Sequence, residues 1–255
     1  MTAQSIVVGR PRRIAVASGK GGVGKTWFAI TLAHGLASLG VRTLLVDADL
    51  GLANVDVQLG LDPARDVGAL LRGDPLRDCV TPLAGIGVDV VAGRSGSGAL
   101  AGGDRETADR IVAALAAPLP YELALLDLGA GIDVMQRRLA AAADTLLVLT
   151  TDEPTSLTDA YACLKLAAAD APGADRRIVV NMASSRAAGE RTAAILQRSC
   201  ARFLGAAPPL AGIVRRDSRV AETIRRQVPF LTRHPNSEAA RDVLAIAADL
   251  VPVAA

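Results

Sequence analysis

Residues 13–39 run without interruption from a short apolar stretch, "RIAVAS", through a glycine loop, "GKGGVGKT", into the apolar stretch "WFAITLAHGLASL". The loop fits G-x-x-x-x-G-K-[ST], and a strand before it with a helix after it is the setting that motif requires. Glycines there let backbone N–H groups turn inward around phosphate oxygens, and the helix N-terminus adds the positive end of its dipole. Gly21, Gly22 and Gly24 are read as the turn residues, with Gly19, Val23 and Trp27 flanking them in the same binding run. Lys25 would reach the β- and γ-phosphates, and the Thr26 hydroxyl would ligate Mg2+.

Beyond the loop, near-continuously apolar runs recur at 42–48, 88–93, 123–128, 145–150, 177–182 and 210–214. Such runs suit parallel strands buried on both faces. Helix-like segments lie between most of them, at 25–39, 105–117, 133–143, 156–170, 188–203 and 217–227, with a last one near 237–250. This alternation predicts an α/β fold: a P-loop NTPase whose mostly parallel, twisted sheet carries helices on both faces, with right-handed crossovers. No repeat or linker divides the chain, so a single domain is expected over 1–255, with tails at 1–12 and 251–255. The stretch 92–104 reads as a flexible loop. Ligands in such sheets sit beyond the carboxyl ends of the strands.

Basic residues sharpen the reading of the loop. The chain has 28 Lys plus Arg, yet only Lys20, Lys25 and Lys165 are lysine. A compact ammonium on a flexible stem enters a narrow phosphate nest that a planar guanidinium does not fit. Two of three lysines in one loop therefore point to ammonium chemistry at both positions.

Carboxylates stand at two strand ends. "VDADLGLANVDV" holds Asp47 and Asp49, two residues apart and so on one face if the strand persists. One can support a metal shell while the other orients water, and either can take either role. "LALLDLGAGID" leads into Asp127, which would hold Mg2+ as a Walker B carboxylate, and a glycine amide at Gly129 or Gly131 could meet the γ-phosphate and sense its loss. "IVVNMA" ends on Asn181, whose amide offers a donor and an acceptor to an adenine edge.

The loop "KGGVGKT" resembles the deviant Walker A motif of the MinD/ParA family of ATPases. "DADLGLANVDVQLGL", "DEPTSLTDAYACLKL", "VVNMA" and "RRQVPFLTRHPNS" extend the likeness to its FlhG/FleN branch, over most of residues 13–250. The resemblance implies ATP and Mg2+ as cofactors, slow hydrolysis, and an ATP-dependent homodimer in which Lys20 crosses to the partner's phosphates as an arginine finger does. It implies that Asp49 positions the attacking water beside the metal, that Asn181 reads the base, that Asp217 matches a nucleotide-site position, and that Asp159 lies at the dimer face near Lys20. It also implies control of flagellar number or placement, through a flagellar GTPase or a transcription regulator as partner. The chain departs from the branch in three places. "MTAQSIVVGRPRR" lacks a D-Q-A-type motif, Arg215 stands where relatives carry proline, and the tail stripe Val243, Ile246, Ala247 and Leu250 lacks a basic polar face. That stripe reads as core packing, with membrane contact at most transient.

The main rival is a ParA-type partition ATPase that grips DNA through Arg215, Arg216, Arg219, Arg225, Arg226 and Arg233. Net charge of +2 gives no global attraction to nucleic acid. Cys79, Cys163 and Cys200 form no paired motif, which argues against an iron–sulfur carrier, and two tyrosines argue against a tyrosine kinase of related fold. No apolar run reaches the length of a membrane span and no leader is recognised, so a cytoplasmic protein is expected.

Overall fold

The computed structural model describes residues 9–93 and 104–251. The predicted loop at 92–104 and both predicted tails therefore fall largely outside the described residues.

Eight strands form one sheet in the order β3-β4-β2-β5-β1-β6-β7-β8. They are β1 (Arg12–Ser18), β2 (Thr43–Ala48), β3 (Thr81–Leu83), β4 (Val88–Val91), β5 (Leu123–Ala130), β6 (Thr145–Thr150), β7 (Asp175–Ala183) and β8 (Leu210–Arg215). All neighbours run parallel except β3, which pairs antiparallel with β4 at the edge. The sequence reading missed β3, a three-residue strand containing Pro82, because so short a segment carries no period.

Helices α1 (Lys25–Ser38), α2 (Val55–Leu59), α3 (Val67–Leu71), α4 (Arg105–Ala116), α5 (Val134–Ala142), α6 (Pro154–Asp170), α7 (Arg186–Leu204), α8 (Arg219–Arg226), α9 (Phe230–Arg233) and α10 (Glu238–Leu250) complete the described fold. Side-chain alternation along the strands divides the core in two. On β1, Ile14 and Val16 face one cluster with α1 and α10, while Ala15 and Ala17 face the other with α4 to α7. Strands buried on both faces thus read as continuous apolar runs, and the predicted architecture is the observed one.

Helix α1 is apolar nearly all round because the sheet covers one side and α10 the other. A Cβ on Gly35 would sit 3.2 Å from the Ala247 Cβ, so the two helices need that glycine to approach. Val243, Ile246, Ala247 and Leu250 are all at most 2% exposed. The tail stripe is core, each large side chain contributing roughly 1.5–3 kcal/mol on burial. No helix among the described residues is long and apolar enough to cross a membrane.

The strand order decides where chemistry collects. β1 lies between β5 and β6, with β2 beyond β5 and β7 beyond β6. The segments after β1, β2, β5, β7 and β8 therefore emerge along one edge of the sheet, around the glycine loop.

Candidate functional site

The loop after β1 has the conformation its glycines allow. Gly22 and Gly24 adopt φ of 81° and 84°, which a side chain resists, and Gly24 caps α1. A Cβ on Gly19 would run into the Asp159 backbone, so the loop rests directly on α6. A Cβ on Gly24 would lie 2.6 Å from the Asn181 amide nitrogen. Val23 is buried and its carbonyl accepts a 2.8 Å hydrogen bond from that nitrogen. Asn181 thus braces the loop with its amide donor and lines the cavity.

Gly21, Gly22, Gly24, Lys25, Thr26 and Trp27 line a cavity of about 490 Å3, together with Asp49, Asn181, Arg216 and Asp217. Met182, beside Asn181, holds φ of 57°, a strained value for a residue with a long side chain. Trp27 packs edge-on against Phe230 at 5.2 Å, and its buried indole N–H has no hydrogen-bond partner.

The acidic side is assembled from separate strands. Asp47 and Asp127 occupy paired positions on β2 and β5 and are almost fully buried. Asp47 points inward: its carboxylate accepts from the N–H groups of Asp49, Asn54 and Val55 at 3.2, 3.2 and 3.1 Å. Burial, then the Asp127 charge, raises its pKa to about 7. It shapes the segment 49–55. A Cβ on Gly93 would collide with Ala53 and stand 3.2 Å from an Asp47 oxygen, so that segment also needs a glycine behind it. Asp49 instead faces the cavity and accepts from the Leu52 N–H at 3.1 Å. The two carboxylates, which spacing alone does not distinguish, thus face different ways: Asp47 into the backbone and Asp49, to which the resemblance gives the water, into the cavity.

Asp127 is raised to about 6 by burial, with the Lys25 charge and the Thr26 hydroxyl pulling the other way. Neither of its oxygens has a hydrogen-bond partner of good geometry. A buried carboxylate left open beside a threonine hydroxyl and near a second carboxylate is an oxygen donor set that suits a hard cation. Among the described residues no group of three or more His, Cys, Asp or Glu could hold a metal by itself. Mg2+ does not need such a cage, because it keeps waters and phosphate oxygens in its shell.

Three sets of contacts bear on the expected roles of the switch glycines, Asp217 and the arginine cluster. In this conformation neither switch glycine has a free amide: Gly129 N–H donates to Gln136 Oε1 at 2.9 Å and Gly131 N–H to the Ser18 carbonyl at 3.0 Å. The Asp217 carboxylate lines the cavity but is clamped by Arg219, at 2.7 and 2.8 Å from the guanidinium. Half of the arginine cluster is neutralised: Arg215 by Asp242 and Glu238, Arg219 by Asp217, and Arg226 by Glu222. Arg215 also donates its backbone N–H to Asp242, a bond that proline could not make, so the departure from the family residue ties β8 to α10.

Lys20 sits apart from Lys25. Lys25 is buried beside Asp127, whereas the Lys20 ammonium reaches outward to Glu153 Oε2 at 2.7 Å and Thr155 Oγ1 at 3.0 Å. The Lys20 hydrogen bond and charge, with Arg216 behind them, hold the exposed Glu153 carboxyl below its usual range. Asp159 packs against Gly19, the neighbour of Lys20 in the chain, while the ammonium itself pairs with Glu153. Gln136, Glu153 and Met182 were missed. Only Gln136 left a trace, as the last residue of the capping pattern Asp133-x-x-Gln136.

Comparison with known proteins agrees with this geometry. Residues 14–230 match the family model for the CobQ/CobB/MinD/ParA nucleotide binding domain. The antiactivator FleN of Pseudomonas aeruginosa is 38% identical over 236 residues, covering 92% of this chain and 84% of that protein. The flagellum site-determining protein YlxH of Helicobacter pylori is 33% identical over 160 residues, 62% of this chain and 54% of that one. The cell division ATPase MinD of Pyrococcus furiosus superposes with a TM-score of 0.78 at 22% identity, covering 94% of this chain and 98% of that one. MinD of Pyrococcus horikoshii, solved with Mg-ADP, gives 0.77 at 21% identity, covering 94% and 96%. The chain belongs to the CobQ/CobB/MinD/ParA nucleotide-binding family, and within it is a P-loop ATPase of the MinD/ParA type.

Proposed function

We propose that this ATPase is a Mg2+-dependent switch that pairs with a second copy of itself when loaded with ATP, and that it regulates flagellar number or placement in the cytoplasm. One observation carries the reading: the two loop lysines have different destinations. Lys25 lies inside the cavity, while the Lys20 ammonium rests on the outer lip, on an exposed glutamate. Exposed ion pairs contribute little, so that contact is readily exchanged for a partner's triphosphate.

In this reading residues 1–255 work as one unit. The loop amides and Lys25 hold the phosphates, and the amide oxygen of Asn181 accepts from the adenine amino group. Asp49 orients a water for in-line attack on the γ-phosphorus and takes up its proton, while Asp47 holds the 49–55 segment in place. Asp127, Asp49 and the Thr26 hydroxyl would hold Mg2+, which supplies positive charge against the phosphate oxygens. Lys20 adds charge from the partner subunit, so that pairing and turnover depend on each other.

The names of two relatives, an antiactivator and a flagellum site-determining protein, support a flagellar regulatory role; a flagellar GTPase or a transcription regulator is the partner that the family resemblance implies. Arg216, Arg225 and Arg233 remain without an ion pair among the described residues, too few to favour non-specific DNA over a protein partner. Lipid contact through the tail stripe is disfavoured because that stripe is buried.

Light scattering of Asp49→Ala with and without ATP and Mg2+ tests the switch. A mass that doubles only with both present supports it. An unchanged monomer holding bound ATP contradicts it.

A further inference from the structure

Gln136 is 8% exposed and lies at the third position of α5, where Asp133 caps the helix by accepting the Gln136 N–H at 2.9 Å. In a capping box a glutamine at that position turns back to the cap's own N–H. Here its side chain leaves the helix and Oε1 accepts the Gly129 N–H at 2.9 Å, at the end of β5. That bond fixes the orientation of the amide, because an N–H can only donate. Nε2, with two hydrogens, therefore faces the other way. A Cβ built on Gly129 would lie 2.7 Å from Nε2 and 3.2 Å from Asp49 Oδ1. The amide nitrogen and the carboxylate oxygen thus flank a single point, across a glycine that leaves the space between them open.

We propose that Gln136 is a positioning residue for hydrolysis, its Nε2 donating to the Asp49 carboxylate in the ATP-bound state, while Oε1 stays on Gly129. One amide then ties the end of β5 to the water-orienting carboxylate and leaves the second Asp49 oxygen for water. The inference rests on Asp49 acting as proposed above. It assigns nothing to Gln136 in contact with the nucleotide itself.

Gln136→Glu separates this role from support of the fold. It keeps an oxygen for the Gly129 N–H but turns an acceptor, with charge, toward Asp49. Turnover in single-turnover ATP hydrolysis should fall about tenfold or more, with ATP affinity and Tm near those of the wild type. In an Asp49→Ala background the same change should produce no further loss, because Gln136 acts through Asp49. If Gln136→Glu does not fold, Gln136→Met keeps the volume and carries the same two measurements. Turnover within about threefold of wild type for the folded variant, or a full additional loss on top of Asp49→Ala, overturns the inference. Wild-type turnover in Asp49→Ala alone would instead overturn the reading beneath it.

Discussion

Eight consecutive residues, 19–26, build the proposed phosphate cradle, whereas the acidic side of the same cavity draws on β2, β5, α5 and the turn after β4. The cradle needs little from the rest of the molecule beyond the strand before it, the helix after it, and the brace from Asn181. The acidic side has no local identity. Asp47 and Asp127 meet only because β2 and β5 are neighbours in register, and Asp49 faces the cavity only because Asp47 gathers three backbone N–H groups from 49–55. On the proposed roles, binding is encoded in a contiguous loop. Water activation is then encoded in packing, and should be the more easily damaged from a distance.

Substitutions on the two sides test that difference. The largest effect is expected from Lys25→Ala, which removes the buried ammonium: turnover should fall on the order of 10^3, and ATP affinity should fall with it. Filter binding and phosphate release measure both, and unchanged affinity would break the assignment of binding to the loop. Asp49→Ala should cost about 10^2 in turnover while leaving ATP affinity within about threefold. Equal losses in both quantities would mean the two sides are not separable. Gly93→Ala touches neither nucleotide nor loop, yet its Cβ would collide with Ala53 and shift the 49–55 segment. Turnover should drop roughly tenfold with affinity intact, since small displacements of reacting groups are costly; wild-type kinetics would show that the segment absorbs the change.

The smallest effect concerns pH and lies on α1. His34 Nδ1 is buried without a partner, and burial lowers its pKa. The unfolded imidazole takes up a proton as pH falls through about 6.5 while the folded one does not, so folding loses stability on the acid side. His34→Leu should therefore gain Tm relative to wild type, by roughly a degree or two, as pH falls from about 7 to about 5.5. A difference in Tm that does not change over that range would refute the desolvated state of His34.

The same contrast explains how much could be read from the chain alone. The β1–loop–α1 unit was legible because its residues are adjacent and each type has a local reason to be there. Seven of the eight strands followed from apolar runs, while β3 and the short α2, α3 and α9 carried too few residues for a period. Asp47, Asp49 and Asp127 were visible as strand-end carboxylates, and the resemblance pointed to Asp49 for the water, but the three backbone N–H groups that the fold turns toward Asp47 were not visible. Glu153 was invisible for the same reason, and Gln136 showed only as part of a capping pattern: their partners are Lys20 and Gly129, and no spacing rule links those pairs. Arg215 in place of proline looked like a loss, and only the position of Asp242 shows the bond it makes instead.

Mixing two inactive variants tests most directly whether Lys20 serves its neighbour. Lys20→Ala keeps Asp49 but offers no ammonium, and Asp49→Ala keeps the ammonium but cannot activate water. Assayed together with Mg-ATP, they should regain turnover well above either alone, because each Lys20→Ala subunit then receives Lys20 from its partner. Turnover in the mixture that equals the sum of the two separate variants, at concentrations where mixed dimers are seen by sedimentation, would contradict a lysine that acts across the interface.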